Sequence, residues 1–208
     1  GKLTAILSRK ILQNRFYQLK LPEFKIGDII TASVTHLENF GVFCDIGCGI
    51  NALLPIDNIS VSRIPHPNVR FSVGDEIKVI IKDIDEDNRV TLSHKELLGT
   101  WEENAEDFCV GETVSGIIRS VENYGIFIEL APNLAGLAEY TSNVDVGQQA
   151  SVYIKSIIPE KMKFKLIIVE AFNADYPTPE PNYFYIGDHI DYFKYSPDCS
   201  DRIIETIF

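Results

Sequence analysis

Gly27-Asp28-Ile29-Ile30-Thr31-Ala32-Ser33-Val34, followed by Asn39-Phe40-Gly41-Val42-Phe43, decides the fold because the stretch occurs twice. Its second form is Gly111-Glu112-Thr113-Val114-Ser115-Gly116-Ile117-Ile118, then Asn123-Tyr124-Gly125-Ile126-Phe127, each residue 84 positions later. Self-similarity at a fixed offset marks a repeated structural unit. In the first copy Ile30, Ala32 and Val34 alternate with Thr31, Ser33 and Thr35, as in a strand with one buried face. Ile77, Val79 and Ile81 alternate in the same way, and Asp85-Glu86-Asp87-Asn88 turns the chain into Val90-Thr91-Leu92, a hairpin with a polar turn. Gly41 and Gly125, inside strand-like runs, are expected to form bulges that sharpen the bend of a small barrel.

The offset still holds from Leu53 to Leu137 but falls to 73 at Val73-Gly74-Asp75 and Val146-Gly147-Gln148, so the first copy carries eleven extra residues. They fall in Ser60 to Ser72, whose Ser, Pro and Asn content is that of a loop. Leu97 to Asn104, with the single Trp101, reads as a packed hinge between the copies. Near the N-terminus, Leu7-Ser8-Arg9-Lys10-Ile11-Leu12 echoes Leu92-Ser93-His94-Lys95-Glu96-Leu97. Residues 1–23 are therefore expected to be the exit of an earlier repeat continuing into a short basic helix, with chance similarity as the alternative. At the other end, 173–208 begins with Pro177, Pro179 and Pro181. It is expected to form an acidic strand extension over Tyr183–Asp188, His189–Tyr195 and Arg202–Ile207, docked on the second barrel or on another chain. The domain reading is then 24–96, a connector 97–107, and a looser copy 108–172.

Composition sets outer limits. With 45% hydrophobic and 24% charged residues over 208 positions, a wholly disordered chain is excluded. No run approaches the roughly 18 to 20 apolar residues of a membrane span, and the chain is read as cytoplasmic. Its one methionine is Met162, which suggests a piece of a longer protein. Cys44, Cys48, Cys109 and Cys199 form no CxxC pair, so neither a disulfide framework nor structural zinc is expected. Net charge is −11, yet residues 1–23 carry +4 and residues 173–208 carry −5. Bulk charge governs solubility and long-range steering without fixing what one face binds.

Taken together, the Gly-Asp-x-x-x-Ala/Gly-x-Val run, Asn-Phe-Gly-Val-Phe, Val-Gly-Asp-Glu-Ile-Lys-Val and Asp-Ile-Asp-x-x-x-Arg-Val-Thr-Leu-Ser-x-Lys resemble the S-one RNA-binding domain. That is the OB-fold repeat of the bacterial ribosomal protein of that name. The resemblance is close over about 24–96 and looser over about 108–170, and Thr100-Trp101 stands where the family has Pro-Trp. It implies a mainly β chain: two tandem five-stranded OB-fold barrels, with the short N-terminal helix and a C-terminal β-hairpin extension.

The resemblance also implies an RNA face of two aromatics flanking the glycine, a downstream histidine, and an Asp and Arg around the last hairpin. In the first copy these fall on Phe40, Phe43, Asp85 and Arg89, with Pro55 at the histidine position. In the second they fall on Tyr124 and Phe127, with Glu139 for the histidine, no Asp, and Lys163 as a rough substitute for the Arg. Phosphate contacts are expected from Lys78, Lys82, Arg89 and His36 in the first copy and from Arg119, Lys155, Lys161, Lys163 and Lys165 in the second.

The chemistry of that residue set is independent of any family. Aromatic rings on an open sheet stack with unpaired bases at about 1–3 kcal/mol per base, whatever the sequence and without a net positive protein. The competing reading buries the rings in the core, although two aromatics three apart cannot both follow simple inward alternation. Arg89 has the alternative of pairing with Asp85 or Asp87, and the 85–87 acidic run lacks the ligand spacing of a calcium loop. No GxSxG, P-loop or HExxH is present, and His36, His66, His94 and His189 are scattered. The expectation is a non-catalytic, cofactor-free binder of single-stranded RNA such as mRNA, acting in translation or RNA handling. The small ribosomal subunit is a further candidate partner, and no small-molecule substrate or membrane is expected. The alternative is a protein-docking module that tethers the chain to such an assembly.

Overall fold

The inward residues of each alternating run close two separate cores, shown in a computed structural model that describes residues 9–174 and 181–208. The first barrel consists of β1 (Ile29–Glu38), β2 (Gly41–Asp45), β3 (Asn51–Pro55), β4 (Glu76–Ile84) and β5 (Val90–Ser93), closed in the order β1-β2-β3-β5-β4. Ala32, Val34, Val42, Cys44, Leu54, Ile77, Val79 and Leu92 fill it. Helix α1 (Arg9–Leu19) precedes it, and a short helix, α2 (Trp101–Ala105), leads on to β6 (Thr113–Glu122), β7 (Gly125–Ala131), β8 (Leu134–Ala138), β9 (Gln149–Ile158) and β10 (Lys163–Phe172). These close with the same connectivity around Ile118, Ile126, Ile128, Val152, Ile154 and Phe164. The five-stranded, mainly β expectation is met in both copies.

The bulges are displaced from where the glycines suggested. They lie in β1 and β6, where register slips between Val34 and His36 and between Ile118 and Ser120. Gly41 and Gly125 open the next strands instead. A Cβ on Gly41 would run into the Leu54 carbonyl oxygen, and one on Gly125 into that of Ala138. Both glycines therefore permit close strand approach and do not bend the strand.

The short N-terminal helix is present as expected, and the C-terminal extension differs in detail. Residues 1–8, which carry part of the proposed echo, lie outside the described residues. In α1, Phe16 is buried against Phe24 and Gln13 Nε2 donates to the Gly49 carbonyl. Trp101 is buried in the second core, and Thr100 and Glu103 form a reciprocal cap on α2, so the connector is packed and ordered.

In the C-terminal extension, Tyr183–Asp188 does not form a strand. It straps the first barrel through Ile29 N–H to Asp188 O at 2.9 Å, Lys78 N–H to the Tyr183 hydroxyl at 3.1 Å, and burial of Ile190 beside Ile80 and Leu97. The hairpin is the shorter pair β11 (Tyr192–Lys194) and β12 (Glu205–Ile207). The loop joining its strands reaches the second barrel, where buried Tyr195 donates to Asn133 O and Asp201 N–H donates to Glu160 O. The extension thus docks on both barrels.

The barrels meet across a buried polar seam. Arg70, from the loop between β3 and β4, makes paired bonds to Glu129 of β7 at 2.9 and 2.5 Å. Arg119 binds the same carboxylate at 2.9 and 3.1 Å. Asn133, wholly buried, accepts from Val61 N–H and donates to Lys95 O and Gly99 O.

Candidate nucleic-acid interface

The outer wall of the first barrel is laid out by strand register. Val42 and Cys44 point inward, so Phe43 points out, opposite Leu53 of β3, which in turn pairs with Thr91 of β5. Phe40, in the turn before β2, is 55% exposed and meets Phe43 edge to face with centroids 6.0 Å apart. The bulge at Thr35, whose hydroxyl donates to Phe43 O at 2.9 Å, rotates exposed His36 into register with Phe43. His36, Phe40 and Phe43 are therefore brought together.

Asp85 and Arg89 sit in the turn between β4 and β5. Asp85 Oδ1 accepts from the N–H groups of Asp87 and Arg89 at 2.9 and 2.8 Å, which makes it a turn cap. The Arg89 guanidinium lies 3.5 Å from Asp87, with both side chains more than two-thirds exposed. Such a pair contributes little stability and leaves the arginine free to exchange partners. Arg89 is two residues from Thr91, about 7 Å along the strand.

Lys78 is not part of this group. It pairs with Thr31, five residues before His36, and its ammonium sits 5.7 Å from the Tyr183 ring centroid. Lys82 is half-buried and donates to Asn58 Oδ1.

The second wall repeats the ring pair without its frame. Tyr124 is 71% exposed and meets Phe127 at 6.1 Å, again edge to face. Ser120 takes the place of His36 opposite Phe127, and Lys165 stands across from Leu137 where the first barrel has Thr91. Lys163 and Lys161 lie beside the β9–β10 turn, on which the acidic C-terminal segment rests through Asp201 and Glu160. Arg119 is removed from the wall because it is buried on Glu129. The C-terminal strap leaves both Phe40 and Tyr124 open.

Among the described residues no cluster of three or more His, Cys, Asp and Glu side chains could hold a metal ion. No described helix is long and apolar enough to cross a membrane. His94 is buried between Phe71 and Tyr183, with Nδ1 donating to Ile59 O. Burial, with Arg70 nearby, pushes its pKa down to about 4, so it is a neutral core residue.

What the sequence reading missed is the pair of bulges that aims the wall. The signal was present: inward positions run 30, 32, 34 and then jump three to Leu37, as Ile118 jumps three to Val121.

The family described as "S1 RNA binding domain" matches residues 23–95. The small ribosomal subunit protein bS1 of Staphylococcus aureus (strain COL) is 31% identical over 195 residues, covering 85% of this chain and 50% of the relative. The bS1 protein of Staphylococcus epidermidis (strain ATCC 35984) is 32% identical over 181 residues, covering 78% and 46%. Among solved structures, the solution structure of GSP13 from Bacillus subtilis is 30% identical over 34% of this chain and 55% of that chain, with a TM-score of 0.32. The chain spans about half the length of the curated relatives it matches. The first barrel is thus matched by the S1 domain family, and a second barrel of the same connectivity follows it in tandem within the stretch similar to bS1.

Proposed function

We propose that this chain is a non-catalytic module that binds single-stranded RNA, such as mRNA, by stacking bases on the outer wall of its barrels, in translation on the small ribosomal subunit. The observation that carries the reading is the Phe40–Phe43 pair, two rings held on an open wall with His36 alongside. Stacking supplies affinity without net positive charge, and the sparse cations handle phosphates. Asp85 orders the turn that presents Arg89. In the second barrel Tyr124 and Phe127 stack, with Lys163 and Lys165 as the nearby cations.

For the second barrel a protein-docking role competes. Glu139 and the acidic segment beside Lys161 both oppose an anionic ligand there.

The test is a titration of a labelled unstructured RNA at two salt concentrations. The Phe40→Ala/Phe43→Ala variant is expected to bind at least tenfold more weakly than wild type. The wild-type slope of log K against log salt is expected to be about −1.4 to −2.1, from two or three phosphates at about −0.7 each. Failure of wild type to bind at high micromolar concentration, or equal binding by the variant, overturns the reading.

A further inference from the structure

The eleven residues by which the first copy exceeds the second have a destination. They fall within the loop joining β3 to β4, and that loop leaves the first barrel for the second. Val61 packs on the second core and donates its N–H to Asn133 Oδ1 at 3.0 Å. Arg70 reaches Glu129 with a bidentate fork, a geometry that fixes direction as well as distance. Glu129 is held from the other side by Arg119, the residue at the bulge of β6.

The start of this loop and its contact on the second barrel each lie next to a ring pair. At its start, Ile56 N–H donates to Phe40 O at 2.9 Å. At its far contact, Glu129 is the next same-face residue after Phe127 on β7, about 7 Å along the strand. One covalent arm therefore runs from beneath the first ring pair to beside the second.

We propose that the β3–β4 loop is a clamp that locks the two barrels into one bipartite RNA surface, with Arg70, Glu129 and Arg119 as its positioning residues. The inference rests on the stacking function proposed above and names its ligand more closely: unpaired RNA long enough to span both walls. A single strand held at both sites gains effective concentration at the second site only while the geometry permits simultaneous contact. The clamp holds that geometry.

The experiment compares an oligonucleotide of about 6 nucleotides, within one barrel's site, with one of about 24, enough for two. It uses the full chain and the variants Arg70→Met and Arg70→Lys. Arg70→Met leaves the Arg119–Glu129 pair inside the second barrel; Arg70→Lys keeps a charge without the fork. Spin labels on exposed Cys48 and Cys109, with the third exposed thiol removed by Cys199→Ser in every variant, report the inter-barrel distance distribution.

Wild type is expected to bind the long RNA at least tenfold more tightly than the short one, with a narrow distance distribution. Arg70→Met should broaden the distribution and lower long-RNA affinity about tenfold without changing short-RNA affinity, with Arg70→Lys in between. Should Arg70→Met fail to fold, Arg70→Lys alone decides. An unchanged distribution overturns the clamp, and a broadened one with an unchanged affinity ratio overturns the bipartite surface. If wild type binds neither RNA, the stacking function itself fails and the bipartite surface with it, while the distance distribution still judges the clamp alone.

Discussion

Phe40 and Phe43 stand at 86° to each other, so bases stacked on them lie in nearly perpendicular planes and the RNA backbone must turn between them. This separates stacking from plain apolar contact. Phe40→Leu keeps much of the apolar area and loses the flat π face, and it is expected to cost about 1–2 kcal/mol of RNA affinity in a binding titration. Because Phe40 is largely exposed, the unfolding free energy should move by less than about 0.5 kcal/mol. A second residue-scale prediction concerns His94. Its folded pKa is about 4 against an ordinary value of 6.5, so the unfolded chain binds the extra proton across that window. Stability is then present above pH 6.5 and lost as pH falls toward 4, by on the order of 3 kcal/mol. Denaturant unfolding from pH 6.5 to 4.5 should show this fall in wild type and a smaller one in His94→Phe. The aromatics were legible from sequence because their spacing around Gly41 repeats at Gly125. Arg119 was not: as one of several scattered cations it looked like a phosphate ligand, and only the Glu129 carboxylate, brought beside it by β7, makes it structural.

At the scale of elements, strand alternation was legible wherever one face met a barrel core, since a one-residue slip would turn every apolar side chain outward. The glycines were misjudged because a strand-interior glycine signals either a bulge or a close backbone approach, and sequence alone does not choose between them. Register does: the slips lie at Thr35 and Arg119, and Gly41 lies against Leu54 and Pro55. Gly41→Ala is therefore expected to push β2 from β3 beside the ring pair, costing about 1–3 kcal/mol of stability and weakening RNA binding as well. Gly74→Ala supplies the contrast. At φ +100 with open space around its Cβ, it carries backbone strain alone, about 1 kcal/mol, and should leave RNA affinity unchanged. Calorimetry with a parallel titration separates the two. The C-terminal extension was the least legible element, because Tyr183–Ile190 satisfies its backbone on Gly27, Ile29 and Leu97, distant partners that local alternation does not reveal.

Across the whole molecule, that extension joins what the connector alone would leave loose. Ile190 covers Ile80 and Leu97 on the first barrel, Tyr195 takes the carbonyls of Asn133 and Ile204 into one buried set with Trp101, and the Thr206 hydroxyl donates to the wholly buried Glu96 at 2.9 Å. Where the strap meets β1, His189 bridges Asp28 at 2.7 Å and Asp191 at 3.0 Å. Those hydrogen bonds, to Asp28 first and Asp191 second, raise its pKa, so this latch contributes fully below the unfolded value and is lost as pH rises through the folded one. A chain ending at Ala174 would lose two buried side chains, Ile190 and Tyr195, worth about 1.5–3 kcal/mol each, and would leave the Glu96 carboxylate short of a partner. At about 2–4 °C per kcal/mol for a chain of this size, its melting midpoint should fall by on the order of 10 °C. Short-RNA affinity should persist, because the strap leaves Phe40 and Tyr124 open; a truncated chain that melts like wild type would mean that the β3–β4 loop and its buried carboxylate hold the barrels together unaided.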